Sequence, residues 1–216
     1  MKVQHALVGL TVALVLGTVT AAHAAGPPYT VAVGGSTTGM QAITFTSSGA
    51  VTFAIKNNAG TVVNMNCTEI SGTGTVMKGV GVNPIASITS TTWTGCRFPW
   101  FGALNVIQNV SSNIAGTGAT ATAGTSDSVT GHFGNVNFGW VAASSPASCS
   151  FTVSGKLDMA FNEATQQILI NETGYSGDAV LSNVGPCAGQ VQAGNPFDMV
   201  AKLNVSTGGA GAINLS

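Results

Sequence analysis

From residue 25 to the C-terminus no segment places its apolar residues at a sustained spacing near 3.6; they recur at alternate positions, in short runs ended by Gly, Asn, Ser or Thr. This periodicity leaves little room for helix, and the prevailing Gly, Thr, Val, Ser and Asn are weak helix formers. Tyr29-Thr30-Val31-Ala32-Val33 alternates as a strand and Gly34-Gly35 stops it. Val51, Phe53 and Ile55 share a face of the next run, which Asn57-Asn58-Ala59-Gly60 separates from Thr61-Val62-Val63 as a hairpin turn would. Further strands are expected at Thr73–Met77, Ile85–Thr94, Ala103–Gln108, Ser128–Phe133, Asn135–Val141, Cys149–Leu157, Ala179–Val184 and Phe197–Val205, with a second hairpin joining Met159–Phe161 to Ile168–Ile170. Ala115–Gly124, all Ala, Gly and Thr, is expected to be a flexible loop. Many short strands with Gly-rich turns predict an all-β fold, an antiparallel β-sandwich or barrel.

The first residues differ from the rest. A charged Met1-Lys2, an apolar run from Ala6 to about Val19 and the small-residue sequence Ala22-His23-Ala24 have the form of a helical signal peptide cleaved after Ala24. The run is shorter than the roughly 18 apolar residues that a spanning helix needs. Residues 25–216 are then expected to form a single secreted β domain with no membrane span. A transmembrane barrel is disfavoured by four cysteines, very short apolar stretches and the lack of an aromatic girdle pattern.

Charged residues make up 6% of the chain, against roughly 25% in ordinary domains, so neutral hydroxyls and amides must carry the surface. Beyond residue 24 the basic residues are Lys56, Lys78, Arg97, Lys156 and Lys202, against seven acidic ones. No basic field exists to hold phosphates, which excludes nucleic acid as a partner.

Cys67, Cys96, Cys149 and Cys187 all follow the leader, and none lies in a C-x-x-C pair that would suggest zinc or redox chemistry. Three pairings are possible; pairing in chain order, Cys67–Cys96 and Cys149–Cys187, closes two moderate loops, each stabilising by about 3.5 to 4 kcal/mol in the chain-entropy model. Disulfides imply an oxidising compartment, extracellular or at the cell envelope.

Catalytic constellations are sparse. His132 is the one histidine beyond residue 24, in Ser126-Asp127-Ser128-Val129-Thr130-Gly131-His132, and no G-x-S-x-G elbow accompanies it. It reads as an exposed strand histidine. Asp158, Glu163, Glu172 and Asp178 are the densest carboxylates, and they read as solvated turn acids rather than a glycosidase pair. No catalytic residue, metal site or cofactor is expected.

The run Trp93-Thr94-Gly95-Cys96-Arg97-Phe98-Pro99-Trp100-Phe101 rises above this background. Aromatics with an arginine dominate binding hot spots and stack on sugars or apolar ligands, so Trp93, Arg97, Phe98, Trp100 and Phe101 form a candidate binding patch. The competing placement is a core cluster on the disulfide, with Trp93 inward and Pro99-Trp100 in a turn. Trp140 is expected in the core.

Cys67, the run Ile85-Ala86-Ser87-Ile88-Thr89-Ser90-Thr91-Thr92-Trp93-Thr94-Gly95-Cys96, then Cys149-Ser150-Phe151-Thr152-Val153-Ser154-Gly155 and Val184-Gly185-Pro186-Cys187-Ala188-Gly189 together resemble a family of small secreted proteins of actinomycetes. The likeness runs from roughly Ala42 to Val205. It implies two disulfides paired in sequence order on a β-sandwich or barrel, and brings no catalytic residues. The chain is also similar to the secreted alkane-oxidation activator proteins of pseudomonads, which implies hydrophobic substrates or the extracellular matrix.

Two functions follow. The first is a cell-surface or matrix protein, structural or interacting, that assembles into homo-oligomers or fibres by strand addition through Tyr29, Thr30, Val31, Ala32 and Val33. The second is a monomeric module that binds envelope glycan or lipid through the aromatic cluster. A hydrolase comes third, and requires His132 and a carboxylate to converge in one cleft.

Overall fold

The computed structural model describes residues 26–119, 127–142 and 148–216, so the leader and Ser126 lie outside the described residues. Among those described there is no helix, only strands: β1 (Tyr29–Val33), β2 (Met40–Ser47), β3 (Val51–Lys56), β4 (Val62–Cys67), β5 (Glu69–Met77), β6 (Gly79–Val82), β7 (Ala86–Thr94) and β8 (Arg97–Phe98). They continue as β9 (Gly102–Gln108), β10 (Ser112–Gly116), β11 (Ser128–Ala142), β12 (Ser150–Asn162), β13 (Gln167–Glu172), β14 (Ala179–Ser182), β15 (Phe197–Ser206) and β16 (Ile213–Leu215).

The strands pair antiparallel throughout. Following hydrogen bonds from β12 through β13, β15, β2, β5, β7, β10 and β11 returns to β12, so the larger sheet closes on itself as a barrel does. Two long strands change partners midway. β11 pairs β10 through Gly131–Gly134 and β9 through Phe138–Ala142, while β15 pairs β3 through Phe197–Val200 and β2 through Leu203–Ser206. β3, β4, β8 and β9 thereby bridge β15 to β11. A smaller sheet, β16-β1-β6, joins the first and last described strands.

Inward faces meet in one continuous apolar cluster. Phe53, Trp93, Phe138, Trp140 and Phe197 crowd together with ring centroids 5.0 to 6.1 Å apart, in the edge and tilted arrangements that aromatic quadrupoles favour. Trp140 lies in the core as expected. The disulfides are Cys67–Cys96 and Cys149–Cys187, with all four cysteines buried.

Both anticipated hairpins are present. Asn57 Oδ1 accepts from the Ala59 and Thr61 N–H groups and closes the β3–β4 turn; Asn162 Oδ1 accepts from the Thr165 N–H and hydroxyl in the β12–β13 turn. Two expectations need correction. Ser128–Phe133 and Asn135–Val141 form one strand, interrupted at Asn135, whose φ is 54° and where the register with β12 shifts. Ala115 and Gly116, expected in a loop, belong to β10, held between β7 and β11; residues 120–126 lie outside the described residues. Gly116 suits this position because a Cβ there would fall 2.4 Å from the Tyr29 hydroxyl.

Candidate functional site

The aromatic cluster divides by orientation. Trp93, on β7, is half-buried against Phe53, Phe138 and Trp140, its indole N–H donating to Thr91 Oγ1 at 2.9 Å. Phe98 and Phe101 are buried, their rings 5.1 Å apart, with Phe151 beside Phe98. Arg97 is exposed, and Trp100, in the β8–β9 turn, is 53% exposed with its ring edge-on to Phe98 at 5.9 Å. The five-residue patch is therefore corrected: Trp93, Phe98 and Phe101 are core, and only Arg97 and Trp100 face solvent. The physical reason is the turn at Pro99-Trp100, which breaks the alternation and sends Trp100 outward.

The candidate assembly strand needs a second correction. Tyr29–Val33 is the middle strand of its sheet, paired with β16 through Val31–Val33 and with β6 through Tyr29 and Val31. Tyr29, Val31 and Val33 are buried, and the Tyr29 hydroxyl donates to the Gly118 carbonyl. Both edges of β1 are taken, so it has no free ladder to offer another chain.

Of the carboxylates expected in solvent, Asp158 is exposed and Asp178 half-buried, while Glu163 and Glu172 are buried. Glu163 stands in the β12–β13 turn yet is only 4% exposed; it accepts from the Leu215 N–H, and burial raises its pKa, with Asp127 nearby adding to the rise. Glu172 is 2% exposed, one oxygen accepting from the Asp158 N–H at 2.8 Å and the other from the Ser176 hydroxyl. Asp158, Glu172 and Asp178 place carboxylate oxygens within 4.8 Å of one another, while Asp178 also pairs with Lys156 at 3.3 Å. Neighbouring Asp198, buried, accepts from the Tyr175 N–H; burial raises its pKa and Glu172 adds to this. The group ties segment 173–178 to β12, β13 and β15, with the oxygens of Glu172 and Asp198 committed to that work.

Beside it lies a polar cleft that sequence reasoning missed. Asn113, His132, Asn135, Lys156 and Asp178 line it around Gly134, Gly155 and Gly177, enclosing about 390 Å³. The irregularity at Asn135 opens this space between β11 and β12. His132, half-buried rather than exposed, does share a cleft with a carboxylate, but the lining supplies no hydroxyl or thiol nucleophile. A bulge forming opposite Lys156 leaves no local sequence signal beyond the Gly134-Asn135 pair.

Neither a family model, nor a curated protein, nor a solved structure matches the chain.

Proposed function

We propose that this chain is an exported structural or interaction protein of the cell surface or extracellular matrix, assembling with copies of itself by strand addition. One observation carries the reading. β6 pairs with β1 on one side and, among the described residues, has no strand on the other. Val80 on it is 82% exposed, and Met40 and Met77, directly opposed across the neighbouring β2–β5 pair, are 70% and 52% exposed. An open ladder flanked by apolar side chains, with Lys78 the one charge in the run 76–82, is the kind of edge that pairs with another chain. Two disulfides suit such a protein to an oxidising exterior. Outward residues of the closed sheet such as Thr73, Thr89 and Ser90 are polar, which fits water rather than lipid around it.

Analytical ultracentrifugation and negative-stain microscopy of oxidised residues 25–216 test the proposal. Ordered oligomers or fibres are expected, and Val80→Lys, which sets a charge on the edge, should abolish them while leaving the fold intact. A strict monomer at high concentration overturns it.

The exposure of Trp100 beside Arg97 favours a second reading, a glycan- or lipid-binding module of the cell envelope. The polar cleft ranks below both as an enzymatic site, and His132→Ala should leave any hydrolytic activity of a preparation unchanged.

A further inference from the structure

The C-terminal strand is held in an unusual way. On one side β16 pairs with β1: Thr30 and Ser216 exchange both backbone hydrogen bonds at 2.6 and 3.0 Å, and the Gly34 N–H donates to the Ala212 carbonyl at 2.9 Å. On the other side no strand meets it among the described residues. Side chains of the β12–β13 turn read its backbone instead: Gln166 Oε1 accepts from the Ile213 N–H at 2.8 Å, Gln166 Nε2 donates to the Ile213 carbonyl at 3.0 Å, and Glu163 accepts from the Leu215 N–H. Ile213 and Leu215 enter the apolar interior beside Ile43, Met159 and Phe161. Together these groups form a slot for a short extended peptide, with backbone bonds on both edges and side-chain pockets at alternate positions.

The segment that delivers β16 is built to open. Residues 207–212 read Thr-Gly-Gly-Ala-Gly-Ala and are mostly exposed, and Gly208, Gly209 and Gly211 all have positive φ. Two hydrogen bonds hold this loop to the body, Gln41 Nε2 to the Thr207 carbonyl and the Gly34 N–H to the Ala212 carbonyl, beside a close backbone approach of Gly211 to Gly34. Fully extended it reaches about 20 Å. The strand it carries is only three residues long, so opening it breaks only the bonds just named and exposes Ile213 and Leu215.

We propose that β16 is exchanged between copies, the Ile213–Leu215 strand of one chain filling the slot between β1 and the Glu163–Gln166 turn of another. Each hydrogen bond and apolar packing that β16 gives up in its own chain re-forms in the same geometry with the neighbouring chain. Only the hinge changes, which makes such swapping a low-cost route to association. The inference rests on the self-assembly reading and adds to pairing at the β6 edge a second strand through which copies join. Reciprocal exchange gives a closed pair, and one-way exchange gives an open chain of subunits.

Ala32 and Asn214 face each other in the β1–β16 register, neither is fully buried, and all native cysteines among the described residues are paired. Opposed residues of an antiparallel pair lie about 5.5 Å apart, within disulfide range. Full-length Ala32→Cys and Asn214→Cys proteins, each checked for native circular dichroism, are mixed, assembled and oxidised. Exchange predicts a covalent heterodimer whose linked peptides join positions 32 and 214. It also predicts that the double variant, oxidised within one chain before assembly, assembles markedly less than the unmodified chain, since only pairing at the β6 edge is left to it. Assembly without the 32–214 link, or assembly of the locked double variant as readily as the unmodified chain, overturns strand exchange and leaves self-assembly standing. A chain that never leaves the monomer, with no link formed, overturns both.

Discussion

The Glu163 carboxyl is enclosed at the foot of the β16 slot, accepting from the Leu215 N–H. Burial outweighs the hydrogen bond and sets its pKa above the ordinary 4.5. The folded state thus holds this proton more tightly than the unfolded chain. The stability it contributes is full below 4.5 and declines as pH rises through the raised value. Glu163→Gln keeps an acceptor for Leu215 and cannot titrate, so its thermal midpoint should gain on the parent as pH climbs from about 4 to about 8. Asp198, raised in the same direction, is unchanged in both proteins and cancels; parallel profiles would show that Glu163 does not carry the linkage. Orientation decides a second pair. Phe98, 1% exposed, should cost about 3 to 5 kcal/mol when cut to alanine. Trp100→Ala should shift denaturant stability by no more than about 0.5 kcal/mol, while abolishing glycan binding if the indole is a platform. Unfolding of Trp100→Ala would return that indole to the core.

Among the elements, those with a local cause were legible and those with a distant one were not. The β3–β4 and β12–β13 hairpins show in the sequence because Asn57 and Asn162 bond to backbone or hydroxyl groups of their own turns. β2 was not anticipated: Ile43 and Phe45 alternate with polar residues, but its Thr and Ser content blurs the signal. β10 carries almost none: Ser112-Asn113-Ile114-Ala115-Gly116 has a single large apolar side chain and becomes a strand only between β7 and β11. The same holds for Gly79–Val82 and Ile213–Leu215, the two strands that flank β1. Alternation in Tyr29–Val33 could announce a strand but not that both its edges would be filled, since neither partner stands out. The Asp158–Glu172–Asp178 convergence is equally non-local, joining two strands and the segment after them. Cysteine pairing was legible because, of the three possible, pairing in chain order closes two moderate loops. Cys67–Cys96 fastens the end of β4 to the β7–β8 turn across a separation of 29 residues, so replacing both by alanine should lower unfolding free energy by about 2 to 4 kcal/mol. A loss near zero in urea titration would mean that β4 and β7 are already close in the unfolded chain.

For the whole molecule, the low charge that shaped the sequence bears on how copies would meet in the proposed assembly. Charged residues are 6% of the chain, and the formal net charge is −1. Such a surface neither repels its copies nor steers them over distance, because both effects scale with charge and fade beyond about 10 Å at about 0.1 M salt. For the proposed association that leaves backbone pairing at β6, exchange of β16, and apolar packing at Met40, Met77 and Val80. None of these is ionic. Assembly followed by sedimentation should therefore change little between about 0.05 and about 1 M sodium chloride. Sulfate, excluded from protein surfaces, should strengthen it by favouring burial. Dissociation by sodium chloride alone would instead place an ion pair at the interface, with Lys78, next to β6, the first residue to replace.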